Sequence, residues 1–134
     1  NIKNPSLLDI REAVIDIRRN KLPDISIVGT AGSFFKNPII KKDKANELKN
    51  KWPELPVYEY NESEVKVSLA WIIDKICGLK GISKGDVGTY KNQALVIVNN
   101  GNATAKQVKD FANEVIKSVK DKTDIDIETE VEWV

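Results

Sequence analysis

Two stretches of the chain place apolar residues at the spacing of an amphipathic helix. The first follows a capping box of Ser6 and Asp9 and predicts a helix over residues 6–19. The second follows a capping box of Thr104 and Gln107 and predicts the longest helix of the chain. The apolar positions on one face are Leu7, Ile10, Val14 and Ile17 in the first helix and Val108, Phe111, Ala112, Val115, Ile116 and Val119 in the second.

Two shorter helices are predicted between them. Residues 41–51 are rich in lysine, place Ala45 and Leu48 inward, and precede Pro53, which ends this helix. Its lysines are interpreted as a solvated face, with an anion-binding patch as the alternative. Ser68 can cap the next helix and Gly78 can end it.

The remaining apolar residues follow strand patterns. Residues 94–98 are continuously apolar, which predicts a strand buried on both faces. Residues 125–134 alternate, which predicts a strand with one acidic face. Shorter strands are expected at residues 35–40 and 65–67. Together these elements predict a single α+β domain over residues 1–134, with a mixed or mostly antiparallel sheet and about four helices.

Composition excludes several classes of function. A net charge of +1 argues against a dedicated nucleic-acid binder, and no apolar run is long enough for a membrane helix. Histidine is absent, which excludes imidazole catalysis and the usual histidine zinc sites, so no metal is expected. The single cysteine, Cys77, is expected to be buried and fits a reducing compartment, hence a cytoplasmic location. The chain starts at Asn1 and lacks methionine, which indicates a piece of a longer protein.

Residues 29–38, GTAGSFFKNP, carry the least usual chemistry of the chain. Two glycines allow a tight turn or a close approach to a ligand, a serine hydroxyl follows, and Pro38 stiffens the end. The residues alone leave two interpretations open, a ligand-binding loop and a glycine turn before a core strand. Two further features are equally open. The aromatic residues of 52–60 are either packing anchors or a stacking surface, and the acidic face of 125–134 is either solvated or a source of a catalytic acid.

Several segments strongly resemble the C-terminal domain of UDP-N-acetylenolpyruvoylglucosamine reductase, the MurB flavoenzyme family of peptidoglycan precursor synthesis. The most specific are KLPD at residues 21–24 and GSFFKNP at residues 32–38. Further segments agree in order and spacing: PELPVY at 53–58, AWIID at 70–74, GLKG at 78–81, QALV at 93–96, NNGNAT at 99–104 and ETEV at 128–131. The resemblance covers nearly the whole chain.

The resemblance implies a reduction in two steps. FAD, recharged by NADPH, delivers hydride to the enolpyruvyl group of UDP-N-acetylglucosamine enolpyruvate, and an acid protonates the neighbouring carbon to give UDP-N-acetylmuramate. By resemblance, Ser33 is the proton donor and Glu130 the second catalytic residue, with Glu128 and Glu132 as alternatives in register. A serine is a poor acid in water, but the intermediate is a strong base and the site excludes water.

The same resemblance assigns the binding residues. Gln93 is expected to help hold the substrate carboxylate, and Lys21, Asn37 and Tyr58 to contact the uridine diphosphate. A cation and polar donors suit phosphates. Gly32 is expected to lie close to the flavin.

The resemblance also implies what this sequence lacks. The flavin-binding domains, expected partners within the same protein, are absent, together with an arginine that would polarise the substrate carboxylate. The chain alone is therefore expected to bind no flavin tightly and to be inactive. Ala70 replaces a common glycine of the family, and Tyr90 stands where a histidine is frequent. The alternatives are a stand-alone UDP-sugar-binding module without catalysis and a structural or protein-interaction domain.

Overall fold

The computed structural model describes residues 4–133. Its helices are α1 (Leu7–Lys21), α2 (Lys42–Lys51), α3 (Leu69–Trp71, continued by a π-helical turn at Ile72–Ile76) and α4 (Ala105–Thr123). Its strands are β1 (Gly29–Ser33), β2 (Ile39–Lys41), β3 (Val57–Glu59), β4 (Glu64–Val67), β5 (Ser83–Lys84), β6 (Val87–Tyr90) and β7 (Gln93–Asn99). The strand pairs among these residues are antiparallel, which confirms the predicted single α+β domain.

The larger sheet has the strand order β1–β7–β6–β5. Residues 94–98 of β7 are all buried, as their continuous apolar sequence predicts. Leu95 and Ile97 belong to the main hydrophobic core, whereas Val96 and Val98 are buried outside it. Because side chains alternate along a strand, this sheet has one face towards the core and a second face away from it.

Helix α4 packs against the core face of this sheet. The capping box of Thr104 and Gln107 is present, with Thr104 accepting the N–H of Gln107 at 3.3 Å. The buried side of the helix consists of Phe111, Ala112, Val115, Val119 and Thr123. The helical spacing read from the sequence therefore predicts both the helix and its buried face.

The smaller sheet has the strand order β2–β4–β3. Along β4 the burial alternates, with Val65 and Val67 buried and Glu64 and Lys66 half-buried. One face of this sheet therefore packs inward and the other is open to solvent.

The helix predicted after Ser68 forms, but with wider turns than expected. Ser68 caps α3, and the chain then continues as a π-helix in which the N–H of Cys77 donates to the carbonyl of Ile72 at 2.9 Å. Gly78 follows at a φ of 67°, the left-handed conformation expected at a helix end. Cys77 is buried as predicted, and burial raises the pKa of its thiol.

Two predicted strands differ from the structure. The strand expected at residues 35–40 is split: β1 ends at Ser33, a single bridge pairs Phe35 with Thr129, and β2 starts at Ile39. Residues 29–33, read as a loop, form β1 because the edge of β7 supplies their hydrogen-bond partners. Residues 125–133 make only that one bridge, although their burial alternates as the pattern predicts; residue 134 lies outside the described residues.

Helix α1 forms and ends two residues later than predicted, at Lys21, but its apolar face is not covered. None of its residues is buried. A hydrogen bond from the side-chain amide of Asn92 to the carbonyl of Asn20 joins its end to the sheet, at 2.7 Å. Within residues 4–133, no helix combines the length and the apolar composition that crossing a bilayer requires.

Candidate functional site

Ser33 is the last residue of β1, and a β-bulge sets its orientation. Thr30 pairs with Val98 and Ser33 with Val96, so β1 carries one extra residue between the two pairs. Gly32 occupies the bulge with a φ of 81°, a conformation that favours glycine. Because paired residues share a sheet face, Ser33 lies on the Val96 face, away from the main core, and it is exposed there.

Thr30 supports this bulge, a role that sequence reasoning missed. Its Oγ1 donates to the carbonyl of Ile97 at 2.8 Å and accepts the N–H of Gly32 at 3.1 Å. A threonine two residues before a glycine is a signal for such a hydroxyl turn and could have been read from the sequence. The conformation that presents Ser33 is therefore held from two sides, by the β7 ladder and by the Thr30 hydroxyl.

The C-terminal segment brings Glu130 to the same place. The N–H of Glu130 donates to the carbonyl of Phe34 at 2.8 Å, and the N–H of Lys36 donates to the carbonyl of Glu128 at 3.0 Å. The backbone of Glu130 thus contacts the residue next to Ser33. Tertiary structure, rather than sequence proximity, unites the two residues named as catalytic by resemblance.

The neighbouring glutamates have different surroundings. The Nζ atom of Lys36 lies 3.6 Å from the carboxylate of Glu128, in an exposed ion pair. Among the described residues, no cation pairs with Glu130, whose carboxylate is therefore available to a ligand. Glu132 makes no backbone hydrogen bond to the Ser33 loop within residues 4–133. The three glutamates thus differ in their contacts within residues 4–133, and the choice of Glu130 among them stays a prediction.

Aromatic side chains hold the loop and the C-terminal segment together. Phe34 and Phe35 are both buried, with ring centroids 5.2 Å apart in an edge-to-face arrangement. The ring of Trp133 meets Phe34 edge-to-face at 5.8 Å. This packing supports two short backbone segments, the one that carries Ser33 and the one that carries Glu130.

Gln93 starts β7 beside this loop. Its Oε1 atom accepts the N–H of Leu95 at 3.3 Å, and the carbonyl of Leu95 accepts the N–H of Phe34 at 2.7 Å. The carbonyl oxygen of the side chain is therefore occupied by its own strand. Its amide NH₂ group remains as a donor, which suits a carboxylate.

Asn37 has a structural partner that the sequence does not reveal. Its Oδ1 atom accepts the N–H of Leu69 at 3.0 Å, at the start of α3. Asn37 is itself exposed, so its amide NH₂ can still meet a ligand. Next to it, Lys36, Pro38, Ile39, Asp126 and Glu128 complete the lining of a shallow cavity of about 260 Å³.

Tyr58 lies on the open face of the smaller sheet. It pairs with Lys66, and Lys66 pairs with Ile39, so the three side chains form a row on one face. Tyr58 is 59% exposed, and the Nζ atom of Lys66 lies 5.6 Å from the ring centroid of Tyr60. Trp52, in contrast, packs partly buried against the core. The aromatic segment thus contains one packing anchor, Trp52, and two exposed tyrosines, and Lys66 adds a cation that the sequence alone did not single out.

Lys21 ends α1 and is exposed. In the turn that follows, Asp24 accepts hydrogen bonds from the O–H and N–H of Ser26 at 2.7 and 2.9 Å, and these bonds lower the pKa of its carboxyl. Among the described residues, no hydrogen bond joins Lys21 to the Ser33 loop or to Tyr58. Backbone hydrogen bonds therefore bring Glu130 next to Phe34 and join the Ser33 loop to β7, which starts at Gln93. Asn37 lies between β1 and β2 along the chain, and no described hydrogen bond joins Lys21 to this loop.

The residues present could contact a flavin along one edge of its ring only. A Cβ atom at Gly32 would meet nothing within 4 Å, so a flat ring could approach this backbone. The other described residues contain no glycine-rich phosphate loop, and within residues 4–133 no cluster of three or more acidic or cysteine side chains could hold a metal ion.

Comparison with known proteins shows that the chain is similar to one part of a class of longer reductases. The chain is 48% identical over 131 residues to UDP-N-acetylenolpyruvoylglucosamine reductase of Flavobacterium johnsoniae, covering 98% of this chain and 39% of that protein. Identity to the reductase of the same name is 43% over 129 residues in Chromobacterium violaceum (96% and 38% covered) and 45% over 130 residues in Porphyromonas gingivalis (97% and 38% covered).

A family model described as the C-terminal domain of UDP-N-acetylenolpyruvoylglucosamine reductase matches residues 23–134. The chain belongs to this family, as its sequence motifs predict. It spans about two fifths of the length of the curated relatives it matches.

Proposed function

We propose that this chain is the substrate-binding and proton-donating part of a longer reductase. In this proposal the full protein uses FAD and NADPH to convert UDP-N-acetylglucosamine enolpyruvate to UDP-N-acetylmuramate for the bacterial cell wall. The observation that supports it is the backbone hydrogen bond from Glu130 to Phe34, which brings the chain at Glu130 next to the exposed Ser33, in a chain of this family. A cytoplasmic location remains a prediction.

The bulge gives Ser33 a geometry suited to proton donation. Its side chain points away from the core, on a backbone held by the Thr30 hydroxyl and the β7 ladder, so little reorganisation is needed when substrate binds. When bound in the full protein, the flavin would supply a hydride to one carbon of the enolpyruvyl double bond. Ser33 then gives its hydroxyl proton to the neighbouring carbon and recovers a proton from solvent.

Glu130 and Gln93 would orient the reacting end of the substrate. The free amide NH₂ of Gln93 can donate to the substrate carboxylate, as charge develops there. Glu130, whose carboxylate has no cation partner among residues 4–133, can interact with the reacting carbon or with the Ser33 proton.

The two sheets together fit an elongated ligand. Residues 33–39 lead from Ser33 to Ile39 on β2, a distance of at most about 20 Å if fully extended. Two strand spacings further, roughly 10 Å, lies Tyr58. We place the uracil or diphosphate end near Tyr58 and Lys66, the enolpyruvyl end at Ser33, and Asn37 between them. Lys21 would join the diphosphate contacts.

The test uses the longer natural protein that contains this sequence. With Ser33→Ala, NADPH should reduce the flavin at an unchanged rate, while reoxidation by the enolpyruvyl substrate should slow by about 10²–10⁴-fold. Stopped-flow absorbance separates the two steps. Glu130→Gln should also slow reoxidation, whereas Glu128→Gln and Glu132→Gln serve as matched controls. Normal reoxidation in Ser33→Ala would refute the assignment.

The same longer protein tests the alternative of a stand-alone UDP-sugar-binding module. The 134-residue chain is expected to show no flavin absorbance and no turnover when isolated. A longer protein that also lacks flavin, but binds the UDP-sugar by calorimetry, would instead identify a binding module.

A further inference from the structure

Helix α1 carries an apolar stripe that nothing in the described structure covers. The stripe consists of Leu7, Ile10, Val14 and Ile17, spaced to share one face. Leu7 is 87% exposed and Ile17 is 62% exposed, and Ile10 and Val14 are also exposed. The exposure of large apolar residues continues after the helix at Ile25 and Ile27.

A helix of this kind needs a partner. Isolated helices of 15 residues are marginal in water, and most helical stability in proteins comes from packing of the apolar face. The capping box of Ser6 and Asp9 and the basic residues of the last turn stabilise the two ends only. The face that should provide the remaining stability is the one left open.

The relatives indicate where the partner lies. The family model of the C-terminal domain starts at residue 23 and so leaves α1 out. The match to the reductase of Flavobacterium johnsoniae covers 131 of the 134 residues, and therefore includes α1, in a protein of which this chain spans 39%. Helix α1 thus accompanies this domain in chains that carry a large additional region.

The polar face of α1 argues against a membrane as the partner. By helical periodicity, the side opposite the stripe carries Asp9, Glu12, Asp16 and Arg19 and is mainly acidic, whereas Arg11, Arg18 and Lys21 lie nearer the stripe. Helices that lie on anionic membranes have a strongly basic polar face. A protein surface with an apolar groove is the better complement.

We propose that the α1 stripe is the surface on which the remaining region of the longer polypeptide docks against this domain. The proposal rests on the assignment of this chain to a longer reductase, but its test does not depend on activity. The core residues all lie between Phe34 and Ile127, so the 134-residue chain does not need the stripe for its own folding.

The experiment compares one double variant in two proteins. Ile10→Gln with Ile17→Gln removes the stripe without lowering helix propensity, since glutamine forms helices at least as well as isoleucine. In the longer protein this variant should lower the Tm by several degrees, on the order of 5 °C. In the 134-residue chain it should leave the Tm unchanged. The matched control, Glu12→Gln with Arg19→Gln on the face opposite the stripe, should change neither.

Hydrogen exchange gives an independent readout. The α1 amides should exchange at least about tenfold more slowly in the longer protein than in the 134-residue chain. An equal loss of Tm in both proteins would place the stripe's partner inside this domain and overturn the proposal. An unchanged Tm in the longer protein, with equal exchange of the α1 amides in both proteins, would also overturn the proposal. So would light scattering that shows the 134-residue chain to be a dimer and the double variant to be a monomer.

Discussion

Asn37 allows a structural role to be separated from a binding role. Its Oδ1 atom accepts the N–H of Leu69, a fully buried residue at the start of α3, while its NH₂ group faces solvent. Asn37→Ala removes the acceptor and leaves that N–H without its side-chain partner. Asn37→Asp keeps the acceptor oxygen and removes the donor. The two variants should therefore differ in stability although both lose the NH₂ group.

The expected loss for Asn37→Ala is about 1 kcal/mol, the usual value for a capping acceptor or a neutral hydrogen bond. We take this value rather than the larger cost of a fully buried orphan because Asn37 is exposed and water can reach the site. For a domain of 134 residues this corresponds to roughly 4 °C in Tm. Asn37→Asp should unfold within about 1 °C of the parent chain, as should the control Asn46→Ala on the exposed side of α2.

Thermal unfolding followed by circular dichroism measures the stability of all three variants. In the longer protein, Asn37→Asp should raise KM for the UDP-linked substrate, because a carboxylate would replace a donor near phosphates. An unchanged Tm in Asn37→Ala, or an equal loss in Asn37→Asp, would show that the hydrogen bond to Leu69 does not stabilise α3.

Two further predictions concern stability. Gly88→Ala should lower the free energy of unfolding by about 2 kcal/mol in urea titrations, because the added Cβ would lie 2.5 Å from the backbone carbonyl of Ile82; an unchanged midpoint would contradict this packing. Hydrogen bonding from Lys120 lowers the pKa of Asp124, so this exposed pair should stabilise the fold above the unfolded-state pKa of Asp, about 3.9, and lose that effect as the pH falls through the lower folded-state value. At low salt, Lys120→Gln should make the stability depend less on pH in this acidic range. If the stability of the variant depends on pH as that of the parent chain does, the pair does not cause the acid dependence.

The candidate site was only partly readable from the sequence. The family motifs name Ser33, Glu130 and Gln93, and their roles stay a prediction; the structure shows that β7 and the bridge between Phe35 and Thr129 join the chain segments that carry them. The hydrogen bond from Thr30 to the carbonyl of Ile97 and the row that adds Lys66 were missed, because both depend on which strands pair.

Local patterns determined the elements whose stabilising contacts are near in sequence. The capping boxes and the helical spacing specified α1 and α4, and the apolar run of residues 94–98 specified β7. Tertiary structure decided the rest. Residues 29–33 form a strand because β7 supplies their hydrogen-bond partners. Residues 125–133 have a better strand pattern but make one bridge only. Hydrogen-bond partners distant in sequence leave no local signal, so pairing, the Ser33 bulge and the open stripe of α1 could be known only from the folded chain.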